Sequence, residues 1–120
     1  MNYNSDFRYD LMTSGLSGET WVHRLLENST IEVKNEEKIS AITGNLYIEY
    51  ECRGKASGIA TTQADYWVFK LADERGFIIG VNELKARVKH LVNNGDARAN
   101  VKGGDSDLSL GVLVKIKDLI

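Results

Sequence analysis

The chain has 120 residues, of which 42% are hydrophobic and 27% charged, and a net charge of −2; these are the proportions of a globular domain and not of a disordered, collagen-like or membrane-embedded chain. At this length a single domain covering 1–120 is expected, burying roughly two thirds of its unfolded surface and needing no staple or structural metal to fold. The lone Cys52 excludes an intrachain disulfide and a cysteine-rich zinc site, which takes about four ligands, and points to a reducing, cytoplasmic setting.

In chain order, Met1 to Asp6 is polar and lacks the basic start and apolar core of a signal peptide. Ser17 reads as an N-cap with Glu19 in the first turn, and Trp21, Val22, Leu25 and Leu26 recur at helical spacing until Asn28. Ile31 to Lys34 alternates apolar and charged residues, as does Leu46 to Glu51 after the Thr43-Gly44-Asn45 turn signal, which predicts two strands in a hairpin-like arrangement. Tyr66 to Phe69 and Phe77 to Ile79 are apolar runs suited to buried strands, far shorter than the ~20 residues that span a bilayer, so no membrane partner is expected. Asn82 is placed to cap a helix with Leu84, Val88, Leu91 and Val92 as its core stripe, ending at Asn94-Gly95. Ala99 to Val101 and Gly111 to Ile116 close the chain as strands. The fold class expected is α/β, a mixed central sheet flanked by helices, with Trp21 and Trp67 in the core.

Strand side chains alternate, so Glu32 and Lys34 share one face and Ile31 and Val33 the other; Glu49 and Glu51 likewise lie opposite Leu46, Ile48 and Tyr50. With both apolar faces turned to the core, four charged side chains project together. Clustered carboxylates repel unless a cation neutralises them, and hard oxygen donors suit Mg²⁺, with Mn²⁺ as a substitute. Glu19, at the flank of the helical stripe, is a further candidate for the same cluster. Each pattern taken alone also occurs as the solvated side of an ordinary amphipathic element.

Charge is unevenly distributed. Through Glu51 there are four basic and nine acidic residues, whereas from Cys52 to Lys102 there are nine basic and five acidic. Such a split suits a metal site beside a phosphate-binding surface. Arg53 and Lys55 in a glycine-bearing loop, and Lys85 and Lys89 at i, i+4 on the second helix, are the candidate DNA contacts. The hydroxyl-rich Ser57 to Thr62 segment suits either a phosphate contact or a turn cap. Cys52 is assigned to packing, and His23 and His90 to surface positions.

The order Gly18-Glu19, Ile31-Glu32-Val33-Lys34, Thr43-Gly44-Asn45-Leu46-Tyr47-Ile48-Glu49-Tyr50-Glu51, Arg53-Gly54-Lys55-Ala56-Ser57-Gly58-Ile59 and Ala64-Asp65-Tyr66-Trp67, with Gly103-Gly104-Asp105 later, resembles small phage-type nucleases of the PD-(D/E)XK superfamily, some of which are Holliday junction resolvases. The resemblance runs from about Gly15 to Phe69. It implies a restriction-endonuclease-like core, Mg²⁺-dependent phosphodiester cleavage of DNA, branched or junction DNA included, and a phage-related protein acting in a host cytoplasm.

The chain departs from the superfamily pattern in having no Pro-Asp pair, and two mappings remain open. In one, Glu32-Val33-Lys34 is the (D/E)XK element, and Asp6 or Asp10 replaces the preceding acid. In the other, which we prefer because it uses both acidic strands, Glu32 is the first acid and Glu49-Tyr50-Glu51 the second element, with Lys34 supplying the amine. Under it Glu19, Glu32, Lys34, Glu49 and Glu51 form the catalytic set and Glu19, Glu32 and Glu49 the metal ligands. Action on two strands or a junction implies a two-fold homodimer. The rival from another class is a catalytically inactive nucleic-acid- or protein-binding module on the same fold, which divalent-cation binding distinguishes.

Overall fold

The computed structural model describes residues 16–37, 43–104 and 107–120, so Asp6, Asp10 and Asp105 lie outside the described residues. The chain divides into two compact units at Thr30/Ile31. Helix α1 (Leu16–Asn28) belongs to the first. It begins one residue before Ser17, and Glu19 sits in its first turn as expected. Leu25 is buried, but Trp21 is 48% exposed and Val22 and Leu26 are exposed as well. Trp21 is therefore not a core residue. Helical spacing identifies which side chains share a side of a helix; it does not say that anything covers that side.

The second unit carries two sheets. The first has strand order β1-β4-β5, from β1 (Ile31–Asn35), β4 (Tyr66–Ala72) and β5 (Arg75–Gly80). β1 runs parallel to β4 and β5 antiparallel to it, so this sheet is mixed. The second has order β3-β2-β7-β6, from β2 (Asn45–Cys52), β3 (Lys55–Ala56), β6 (Arg98–Gly103) and β7 (Ser109–Lys115), with every pairing antiparallel. The α/β class is as expected, with the strands shared between two sheets. The expected hairpin of β1 with β2 does not form: β1 takes β4 as its partner and β2 takes β7. The Thr43-Gly44-Asn45 turn signal does not decide which strands pair; non-local contacts do.

Helix α2 (Val81–Asn93) starts at Val81, with Gly80 as N-cap in place of Asn82. The earlier start buries Val81 beside Leu84, Val88 and Leu91. Its C-terminal end matches expectation: Asn94 caps the helix and Gly95 takes a positive φ of 79°, the left-handed conformation that lets a chain leave a helix. These helical residues pack with Leu46 and Ile48 of β2, Trp67 and Phe69 of β4, Ile79 of β5, and Val112 and Val114 of β7 into one core. Trp67 meets Phe69 edge-on at 6.0 Å, and Phe69 stacks on Phe77 at 5.0 Å. Among the described residues, no helix is long and apolar enough to cross a membrane.

Candidate active site

The face assignment of β1 is the reverse of expectation. Val33 is 62% and Ile31 39% exposed, whereas Glu32 and Lys34 are half-buried. The cause is register: Glu32 pairs with Trp67 and Lys34 with Phe69, and paired residues of neighbouring strands point to the same side. Since Trp67 and Phe69 are core residues, Glu32 and Lys34 are drawn towards the protein and the two aliphatic residues outward.

Burial without pairing would be costly for these charges, and both are paired. The Lys34 ammonium forms an ion pair with Glu32 Oε2 and lies 4.4 Å from the centroid of the Trp67 ring, a cation–π distance. The other oxygen, Glu32 Oε1, accepts a hydrogen bond from the Thr62 hydroxyl at 3.1 Å. Thr62 Oγ1 in turn accepts from the Trp67 indole N–H at 3.1 Å and from the Ala64 amide at 3.2 Å.

Glu49 comes from the other sheet. On β2 it lies with Tyr47 opposite the buried Leu46 and Ile48, and its Oε2 accepts a hydrogen bond from the Ser57 hydroxyl at 2.9 Å. The 3₁₀ turn Gly58–Ala60 follows directly. Gly58 has φ +52°, and a Cβ there would stand 2.2 Å from the Glu49 carbonyl oxygen, so only glycine lets this turn close against β2. The Tyr47 ring is accommodated in the same way by Gly103 and Gly111, where an added Cβ would meet it at 2.6 and 2.7 Å. Its hydroxyl donates to the Val101 carbonyl at 2.9 Å and lies 3.1 Å from Ser109 Oγ.

One pocket of about 210 Å³ collects these groups: Lys34, Glu36, Trp67 and Phe69 from the β1–β4 side, Tyr47 and Glu49 from β2, and Gly58 from the turn. Lys34 and Glu49 are thus brought together as expected, with Glu32 attached through its ion pair with Lys34. Glu36 is an addition. Its carboxyl is pushed above the ordinary carboxylate range by burial, an effect that the nearby Lys34 partly offsets. The alternation Glu32, Lys34, Glu36 already marks it as belonging to the same face of the strand. Ser57 and Thr62 act as hydrogen-bond donors to the carboxylates, and their hydroxyl-rich segment was the signal for them.

Glu51 does not join this set. A bulge in β2 sets Glu49 opposite Gly111 but Glu51 opposite Leu110. Successive residues of β7 face opposite ways, so the two glutamates no longer share a face. Glu19 belongs to α1 in the first unit, and the pocket is built wholly from the second. Among the described residues, no three His, Cys, Asp or Glu side chains converge as a metal cage. Arg53, with φ +52°, and Lys55 are exposed at the β2–β3 turn. Lys85 and Lys89 are exposed on α2, bordering a second pocket of about 300 Å³ with Tyr50, Ile59, Val88 and Val92. Cys52 is a half-buried free thiol. His23 lies 3.7 Å from Glu27 on α1, and His90 pairs with Asn94.

Comparison with protein-family models, curated proteins and solved structures finds no match to this chain.

Proposed function

We propose that this protein is a metal-dependent deoxyribonuclease, hydrolysing phosphodiester bonds in DNA, branched or junction DNA among its substrates, in a reducing cytoplasm or that of a phage host. The observation that carries this reading is the meeting of Lys34 and Glu49, from different sheets, in one half-buried pocket, with Glu32 held on the lysine. The donor set fits Mg²⁺ or Mn²⁺. Mg²⁺ is ordinarily bound by one or two carboxylates with water and substrate phosphate completing its shell, so Glu49, which lines the pocket, and Glu32, which borders it through Lys34, would hold it without a third acid. When bound, the cation supplies Lewis-acid stabilisation of the phosphoryl oxygens and lowers the pKa of water.

The chain's own residues perform the remaining tasks. Thr62 and Ser57 hold the two carboxylates in place. Lys34, the ammonium lining the pocket, stabilises negative charge that develops on the phosphate, the kind of preorganised electrostatic contribution that weighs most in hydrolysis. Glu36 lines the same pocket, and burial lets its carboxyl keep a proton to higher pH than an exposed one. Arg53, Lys55, Lys85 and Lys89 are assigned to the DNA backbone.

Cleavage of labelled four-way junction, duplex and single-stranded DNA, with Mg²⁺ or Mn²⁺ and with EDTA, tests the proposal. Cleavage that is abolished by EDTA and by Glu32→Ala is expected, and Lys34→Ala is expected to lower the rate by about 10²–10³-fold, the usual cost of removing one such stabilising group. Absence of cleavage by folded protein, with no calorimetric sign of divalent-cation binding, would replace the enzyme with a binding module. One observation favours that second reading: Glu32 and Glu49 already have protein partners, Glu32 in Lys34 and Thr62 and Glu49 in Ser57.

A further inference from the structure

We infer that Thr62 is the positioning residue of the Glu32–Lys34 pair, and that Trp67 orients it. A hydroxyl has one proton to give and two lone pairs to receive with. At Thr62 the receiving capacity is taken by two N–H groups, those of Trp67 and Ala64, at 3.1 and 3.2 Å. Neither can act as an acceptor, so the Thr62 proton is directed to its remaining neighbour, Glu32 Oε1 at 3.1 Å. Glu32 is thereby held with Oε2 turned to the Lys34 ammonium, which rests over the Trp67 ring.

The four residues form a closed circuit. The indole edge of Trp67 fixes Thr62, Thr62 fixes Glu32, Glu32 fixes Lys34, and Lys34 returns to the indole face. Trp67 is only 2% exposed, so its ring is an immobile reference for both ends of the circuit. The N–H of a buried tryptophan needs an acceptor, which ties the orientation of Thr62 to the packing of the core. Its hydroxyl proton is committed to Glu32, so Thr62 acts through Glu32.

The catalytic consequence rests on the nuclease reading, whereas the geometric one does not, and the experiment separates them. Proton NMR of the full chain reports whether Lys34 stays on the indole face, because the ring current there moves its side-chain methylene signals upfield. Thr62→Ser keeps the hydroxyl and is expected to keep the upfield shift. Thr62→Val removes the hydroxyl at nearly constant shape and is expected to return the Lys34 signals towards those of exposed lysines such as Lys85. Thr62→Cys, which preserves volume but donates weakly, makes the same test should the valine variant fail to fold. An undiminished upfield shift in the valine or cysteine variant would overturn the positioning role.

In cleavage assays the valine variant is expected to lose about 10–100-fold in kcat with KM retained, the range typical of removing a residue that orients a metal-binding carboxylate, and serine is expected to rescue it. A collapsed shift with unchanged cleavage would overturn the catalytic consequence alone. A wild-type protein that cleaves no DNA would defeat the nuclease reading, while the NMR comparison would still decide the role of Thr62.

Discussion

Glu36 and Gly58 each make a test of the site that does not depend on activity. Burial raises the folded-state pKa of Glu36 above its ordinary value of 4.5. The native state therefore holds this proton to higher pH than the unfolded chain does, and stability falls as pH rises from about that value through the raised one. Glu36→Gln is expected to remove this loss: urea unfolding should show a more stable variant at pH 7 and little difference at pH 3. At Gly58 the cost is steric. Alanine there faces both a left-handed φ, worth about 1–2 kcal/mol, and a clash with the Glu49 carbonyl. Gly58→Ala is expected to lower the unfolding free energy by at least that amount in denaturant titration and to displace Glu49. By comparison, alanine at Gly54, where nothing stands within 4 Å of an added Cβ, should cost only the conformational part.

At the scale of elements, the expected strands and helices were legible in the sequence, but not their partners or their orientation. Alternation in Ile31 to Lys34 establishes a strand and says which residues share a face. It does not say which face is inward, and the usual preference for burying Ile and Val fails because β4 sets the register with Trp67 opposite Glu32. The bulge that separates Glu49 from Glu51 leaves no mark in a run of six alternating residues. Charge and spacing single out Glu32, Lys34 and Glu49, but the route by which Lys34 and Glu49 reach one pocket is not the expected one: they come from strands of different sheets and not from a hairpin, and the hydroxyl-rich segment after Ser57 marks the donors without saying that they serve carboxylates. The face assignment makes its own prediction. Val33→Thr on the exposed side of β1 should change stability by no more than about 0.5 kcal/mol, whereas Ile48→Ala in the core should cost about 2–5 kcal/mol. Equilibrium unfolding of the two variants distinguishes this arrangement from one with Val33 inside.

For the molecule as a whole, the uneven charge distribution becomes a statement about DNA binding. The pocket carboxylates are Glu36, just after β1, and Glu49 on β2, and the exposed Arg53 and Lys55 follow at the β2–β3 turn. If these two cations sit on phosphates, Arg53→Ala with Lys55→Ala should flatten the dependence of log K on log salt by about two, one for each phosphate no longer neutralised. Such a variant should raise KM more than it lowers kcat; an unchanged salt slope in fluorescence anisotropy would remove these residues from the interface. A two-fold dimer is the simplest way for one small unit to cut paired strands, and sedimentation equilibrium with and without junction DNA checks it, monomer alone being the adverse result.

The pairing of distant strands also bears on how this protein acquires its site. β4 and β5 are consecutive and joined by a tight turn, so they can meet early, but Ile31 must find Tyr66 and Asn45 must find Lys115 before Glu32 and Glu49 are in place. Pairings between residues far apart in sequence form slowly, because loop-closure entropy is spent before they repay it. The pocket is therefore expected to assemble late in folding. In a refolding experiment under the nuclease reading, cleavage activity should return no sooner than the slowest cooperative phase; activity recovered ahead of that phase would show that the pocket forms earlier.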